Sequence, residues 1–313
     1  MSFSTHTFNA NDGEKIFYYR WKVASPKGIV QIAHGVGEHA GRYKRIAEIL
    51  QKQNYDVYAN DHRIHGNSIK SKEYLGVYEG ENYFDDAVND MHDLTKIIQQ
   101  EYPKEKIILF GHSMGSLLSR QYITEYGENI KALILSGTGS YIKSLGSIGL
   151  AGANMVKLFK GRKRSSNTLK SVFFSEFNKK FKPNRTQVDW ISRDEKEVDL
   201  FAEDPLRIED FSISMFIDIL KGSKKINDLE TFKATPKHIP IYIFSGDKDP
   251  VGEMGKGVQK VASQYIKAGI NDLTLKLYEG GRHEMLNEIN KKEVEQDFLN
   301  WLNSHIQSKE YSE

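Results

Sequence analysis

The sequence predicts an α/β fold in which a mostly parallel central sheet is flanked by helices and carries an inserted subdomain. Three observations point to it. Short β-rich runs alternate with longer helical patterns; several of those runs are apolar without a break; and one leads through a glycine-bounded serine directly into a helix. A strand covered on both faces has no polar side, so an uninterrupted run such as Ile107-Ile108-Leu109-Phe110 fits the middle of a parallel sheet.

The strand candidates are 15–21, 28–33, 56–59, 106–110, 132–136, 241–244 and 273–278. Between them, Phe84, Val88, Met91, Leu94 and Ile98 recur at spacings of three and four within 82–101, which makes one apolar helical stripe that Pro103 ends. A second helix is expected over 116–126. A third near the C-terminus carries Val294, Phe298, Trp301 or Leu302, and Ile306, with the last residues as a frayed tail. After the run at 132–136 the sequence turns Gly-, Ser- and Lys-rich with scattered aromatics. The expected organisation is therefore a core of 1–138 and 211–313 with a lid inserted at 139–210.

Composition narrows the function. A chain of 313 residues with 39% hydrophobic content has room for one large packed domain with an insertion. Lys and Arg number 44 against 42 Asp and Glu, so the formal charge of +2 provides no global field toward nucleic acid. The absence of cysteine removes disulfides, thiolate-bound metals and a cysteine nucleophile. The first twelve residues lack a basic segment followed by an apolar run, so no cleaved secretion signal is expected, and the location expected is cytoplasmic. The longest apolar stretch, 141–159, is interrupted by Lys143, Gly146, Gly149 and Gly152 and is too broken for a membrane span.

Gly111-His112-Ser113-Met114-Gly115 stands between a strand and a helix, the context of a nucleophile elbow. A serine on such a sharp turn needs small neighbours two positions away on either side, because strand and helix approach closely there. A serine nucleophile needs an oxyanion hole, and two backbone N–H groups can each contribute about 3 to 4 kcal/mol to the transition state. Met114 is expected to supply one donor, since it follows the serine and begins a helix whose dipole favours an anion. The second is expected after the early strand at 28–33, in His34-Gly35-Val36-Gly37-Glu38-His39, with Val36 as the donor. His34 reads as a structural hydrogen bonder.

The base and its orienting acid must follow the serine in the order acid, then histidine. His238 precedes a strand and His305 lies in the terminal helix, whereas His283 follows the strand 273–278 in a Gly280-Gly281-Arg282 loop, where sheets present catalytic groups. His283 is the expected base. Ser245-Gly246-Asp247-Lys248-Asp249-Pro250 offers two carboxylates, and spacing alone does not choose between them. Pro250 fixes the turn after Asp249, while Asp247 suits the turn role of accepting nearby backbone N–H groups, which favours Asp249. Asp61, His62 and His65 look like a ligand set for a metal, but a loop without further clustered donors points instead to hydrogen bonds that brace the oxyanion loop. The expected chemistry calls for no metal and no cofactor.

These residues together resemble the monoacylglycerol lipase and lysophospholipase branch of the α/β-hydrolases. The likeness is carried by His34 to His39 with Gly41-Arg42-Tyr43, by Asp61-His62-Arg63-Ile64-His65-Gly66-Asn67-Ser68, and by Gly111 to Ser116. It continues in Ser192-Arg193, Glu197-Val198-Asp199, Asp204-Pro205-Leu206 and Tyr278-Glu279-Gly280, so it spans nearly the whole chain. The resemblance implies a serine carboxylic ester hydrolase acting on a single-chain lipid, with Asp249 as acid, the amides of Val36 and Met114 as oxyanion donors, and Glu38 and Arg42 at the alcohol end of the pocket. The chain departs from that family at Ile64, where relatives usually carry glycine, and at Leu286, where the monoacylglycerol lipases place a second histidine.

The substrate expected is a monoacylglycerol or lysophospholipid. Small esters, thioesters or N-terminal peptides are the alternative, and a non-catalytic ligand binder on the same scaffold stands behind both. Two readings of the lid remain open. Ile142, Leu145, Ile148, Leu150, Met155, Val156, Leu158 and Phe159, followed by Lys160-Gly161-Arg162-Lys163-Arg164, could form an apolar surface with a basic rim that docks transiently on an anionic bilayer. The modest amphipathicity and the helix-weakening glycines favour a lid packed on its own core.

Overall fold

The computed structural model describes residues 1–141, 150, 152–153 and 176–306. Its eight strands are β1 (Ser2–Asn9), β2 (Lys15–Lys22), β3 (Gly28–Ala33), β4 (Tyr55–Asn60), β5 (Ile107–His112), β6 (Ile130–Ser136), β7 (Ile241–Gly246) and β8 (Leu273–Tyr278). They form one sheet in the order β1-β2-β4-β3-β5-β6-β7-β8. The β1–β2 and β2–β4 pairs are antiparallel, and every pair from β4–β3 to β7–β8 is parallel. This is the α/β-hydrolase arrangement that the sequence predicts.

Around the sheet lie α1 (Lys44–Lys52), α2 (Tyr83–Glu101), α3 (Met114–Glu125), α4 (Glu195–Ala202), α5 (Ile213–Ile226), α6 (Leu229–Ala234), α7 (Lys256–Lys267) and α8 (Lys291–Ile306). Alternate strand residues feed two cores. Ile107 and Leu109 of β5 join Val88 and Leu94 of α2, Leu118 and Tyr122 of α3 and Val261 of α7 on one face. On the other, Ile108 and Phe110 meet Ile46 and Leu50 of α1 and Val294 and Phe298 of α8. Each fully buried Leu or Phe contributes about 2 to 3 kcal/mol of apolar burial, so the central strands hold their register firmly.

Several elements depart from the sequence reading. β1 was not expected: it is an edge strand, exposed along most of its length and paired only with β2, so it shows little apolar alternation. α3 starts two residues before the predicted helix, directly at Met114. α2 starts at Tyr83, where the Asn82 side chain accepts the Asp85 N–H as an N-cap.

Between the end of β6 at Ser136 and the start of β7 at Ile241 the chain makes its long excursion. Leu150 packs beside a cluster of Ala153 with Ile213, Phe216, Ile217 and Leu220 of α5. The other apolar lid residues named above, from Ile142 to Phe159, and the basic run from Lys160 to Arg164 lie outside the described residues. Among the described residues no helix is long and apolar enough to cross a membrane.

Candidate active site

Parallel strands all present their C-terminal ends at one edge, and the loops leaving β3, β5, β7 and β8 meet there. Ser113 follows β5 at φ 52°, ψ −119°, a left-handed turn that a side chain holds at a cost of about 1 to 3 kcal/mol. The glycines around it are explained by contact. A Cβ on Gly115 would lie 2.0 Å from the Ala33 carbonyl oxygen, and one on Gly111 would lie 2.4 Å from the Gly115 oxygen. The strand and helix can close on the serine only because both positions lack a side chain.

His283 reaches this serine from the loop after β8, with Nε2 2.9 Å from Ser113 Oγ. Its Nδ1 lies 2.9 Å from Asp249 Oδ2. Asp249 is fully buried; its Oδ2 also accepts the Ser245 hydroxyl at 3.0 Å, and its Oδ1 accepts the Val251 N–H at 2.9 Å. Burial by itself would lower the imidazole pKa, but the charge and hydrogen bond of Asp249 outweigh it and hold His283 above the ordinary 6.5. Gly137, at φ 59°, leaves room for the ring: a Cβ there would stand 2.9 Å from His283 Cε1.

The other candidates lie elsewhere. Asp247 accepts the Gly280 N–H at 2.8 Å and ties the loops after β7 and β8 together. His238 is exposed, and His305 sits in α8 facing Asp272 at 3.3 Å.

Met114 is the first residue of α3, so its N–H has no intrahelical acceptor, and it lines a cavity together with Ser113 and Val36. The loop carrying Val36 is held by Glu38, whose Oε1 accepts the Gly35 N–H at 2.6 Å and the Tyr43 hydroxyl at 2.8 Å. Gly37 has φ 79° and needs glycine for its dihedral angle. Gly35 needs it for space, since a Cβ would lie 2.8 Å from Glu38 Oε1 and 3.1 Å from Ser113 Cβ.

Behind the loop, His34 holds the Gly35 carbonyl at 2.7 Å and accepts the His62 N–H at 2.9 Å. The rings of His34 and His62 stand 4.2 Å apart. Burial depresses His62 to about 3 and His65 to about 4, so both are neutral. Asp61 accepts the Ala40 N–H at 2.8 Å and the Asn67 N–H at 2.7 Å. Ile64 adopts φ 64° and keeps a left-handed turn in spite of its branched side chain.

Arg42 pairs with Glu38 at 2.7 Å and donates to both oxygens of Glu284, at 2.9 and 2.8 Å. Burial pushes Glu284 up, but Arg42 outweighs it and holds the carboxyl at about 2. Glu284 was not picked out from the sequence, although its place beside His283 is a signal that could have found it. These three charges, with His112 and Leu286, line a recess of about 380 Å³.

Two larger cavities open onto Ser113 and share Val36, Trp190 and Phe211. One, of about 800 Å³, is walled by Leu117, Phe177, Phe216, Ile219 and Leu220. The other, of about 660 Å³, also touches His283, Glu38, Glu284, Arg207 and Glu209. Trp190, 4.9 Å from the His283 ring, stands at their junction and was missed because its segment has no helical or strand period.

The profile of the family described as serine aminopeptidase, S33, matches residues 24–290. The chain belongs to that family. Within it, this hydrolase lies in the monoacylglycerol lipase-like branch of the α/β-hydrolases. It is 28% identical over 307 residues to the monoacylglycerol lipase of Mycolicibacterium smegmatis, covering 97% of this chain and 98% of that one. To the monoglyceride lipase of Rattus norvegicus it is 28% identical over 312 residues, covering 96% and 89%. Among solved structures it is similar to a thermostable carboxyl esterase from Bacillus coagulans in complex with glycerol, at 30% identity and a TM-score of 0.90, covering 98% and 99%.

Proposed function

We propose that the protein is a serine carboxylic ester hydrolase that cleaves a single-chain lipid ester, a monoacylglycerol or lysophospholipid, through an acyl-enzyme intermediate. The observation that carries this reading is the unbroken relay from Asp249 through His283 to Ser113, with 2.9 Å at each step, opening onto an apolar cavity of about 800 Å³. The monoacylglycerol lipase and carboxyl esterase names of its relatives support the same chemistry.

In this mechanism Ser113 Oγ attacks the acyl carbon while its proton passes to His283 Nε2. The N–H groups of Met114 and Val36 hold the oxyanion. Collapse breaks the acyl C–O bond, and His283 returns the proton to the departing alkoxide. Water then attacks the acyl group, gives a proton to His283, and the fatty acid leaves as Ser113 recovers its hydrogen. Asp249 holds the imidazole tautomer and stabilises its cation. Glu38 and Arg42 act at the alcohol end, chiefly by fixing the oxyanion loop.

The cap takes 139–210 and places the acyl chain against Phe177 and Trp190; the enzyme works in the cytoplasm. The test is a substrate panel of p-nitrophenyl esters of rising chain length, monoacylglycerols, lysophospholipids and an aminoacyl anilide. Medium or long acyl chains are expected to give the highest kcat/KM. A strict preference for acetyl or butyryl groups would refute the lipid assignment, and a preference for the anilide would replace it with peptidase activity.

A further inference from the structure

Arg207 stands apart from the other buried cations near Ser113. Its side chain is 12% exposed, and its Nη1 donates to the Ala202 carbonyl at 3.1 Å. The nearest carboxylate, Glu209, is 3.9 Å away, beyond hydrogen-bond range, and 69% exposed. Arg42, by contrast, donates to three carboxylate oxygens. Burial lowers the Arg207 pKa against only a partial pull from Glu209, which marks a cation short of a counter-charge.

Its position is fixed from both sides. The Arg207 N–H donates to Asp204 O at 3.0 Å, Asp204 pairs with His39 at 2.9 Å, and the Ile208 N–H donates to Gly37 O at 3.0 Å. The guanidinium lies over the Phe201 ring, 5.1 Å from its centre, and Arg42 lies 4.6 Å from the same ring. The turn is thus pinned to the oxyanion loop, and Arg207 lines the same cavity of about 660 Å³ as Ser113 and His283.

Apart from exposed Glu209, the other carboxylates on that wall are already committed. Glu38 and Glu284 serve Arg42, Tyr43, Gly35 and Asn287. Among the described lining residues, histidines aside, Arg207 is the one cation. A partly desolvated guanidinium with most of its donors unclaimed is costly beside a neutral alcohol and favourable beside a phosphate, whose oxygens match its planar fork.

We propose that Arg207 is a specificity-determining residue that selects esters whose leaving alcohol carries a phosphate group, over the neutral glycerol ester of the same acid. This rests on the reading of Ser113 as nucleophile given above. Glu209 competes weakly with the substrate phosphate for the same guanidinium.

The test compares kcat/KM of the purified full chain on octanoyl-glycerol and octanoyl-glycerol-3-phosphate below their micelle-forming concentrations. The wild type is expected to favour the phosphate ester. Arg207→Gln is expected to lower the ratio of the two values about ten-fold or more, the loss due to a charge-assisted contact. Equal loss on both substrates would mean a structural role and overturn the proposal. Glu209→Gln, at an exposed site that folding tolerates, should raise the ratio; an unchanged or lowered ratio overturns it equally. Hydrolysis of neither ester, or hydrolysis that survives Ser113→Ala, would instead remove the nucleophile reading on which the proposal stands.

Discussion

Replacing Asp249 with asparagine tests how the carboxylate acts on His283. The side chain keeps its shape and its place among Ser245, Val251 and the imidazole, where it is fully buried. What changes is charge and the sense of one hydrogen bond. An asparagine N–H facing Nδ1 favours the tautomer with hydrogen on Nε2, which cannot take the Ser113 proton across its 2.9 Å contact. The expected loss in kcat is about four orders of magnitude, or about 5 kcal/mol of barrier.

The pH profile gives an independent sign. In the wild type His283 must be neutral to act as base, and Asp249 holds its pKa above 6.5, so kcat/KM should rise through a pKa above that value and fall about tenfold per pH unit below it. In Asp249→Asn, burial is opposed only by the smaller pulls of Glu284 and Glu38, and the residual activity should have its acid limb shifted to lower pH. Asp247→Asn provides the control, since that carboxylate ties the Gly280 N–H at 2.8 Å and the Lys248 ammonium at 3.4 Å. Stopped-flow measurement on a p-nitrophenyl ester reads both variants. If Asp249→Asn stays within tenfold of wild type, or if Asp247→Asn is the more damaged, the assignment of the acid is wrong.

Other consequences can be checked separately. Buried His62 and His65, with folded-state values of about 3 and about 4, stay neutral while the unfolded chain takes up protons near 6.5. Stability is therefore full above that pH and falls as the medium is acidified toward those lower values; urea unfolding at pH 5 should show about 2 kcal/mol less per ring than at pH 7. No loss would contradict their neutral burial. Glu38→Ala removes the acceptor of the Gly35 N–H and the partner of Arg42, and kcat is expected to drop about 10²-fold through the loosened oxyanion loop. An unchanged kcat would show that the loop holds itself.

Much of this was legible in the chain, for reasons that particular residues make plain. The elbow announced itself because Gly111 and Gly115 answer a steric demand that no other residue type meets. β5, β6 and β7 were readable because helices cover both faces of the sheet they lie in, leaving runs with no polar side. β1 was not, since its side chains are largely exposed and only its pairing with β2 makes it a strand. α5 was also hidden: Ile213, Met215, Phe216, Ile217, Leu220 and Ile226 are buried around most of its circumference, so no single stripe stands out.

In the candidate site, chain order and loop position picked out Ser113, His283 and Asp249, because strand ends in a parallel sheet converge. Turn chemistry around Pro250 already favoured Asp249 over Asp247, and the structure sets the first carboxylate beside the imidazole and the second on a backbone N–H. Glu38 and Arg42 were expected at the alcohol end; their observed partners are the Gly35 N–H and Glu284, a pairing across more than two hundred residues that no local pattern encodes.

The most direct test is active-site labelling. The wild-type protein treated with a fluorophosphonate probe should gain one adduct, located by peptide mass analysis on Ser113, and lose ester hydrolysis in step with it. Ser113→Ala should neither take the label nor cleave the ester. Label on another residue, or ester cleavage that persists in Ser113→Ala, would contradict the account.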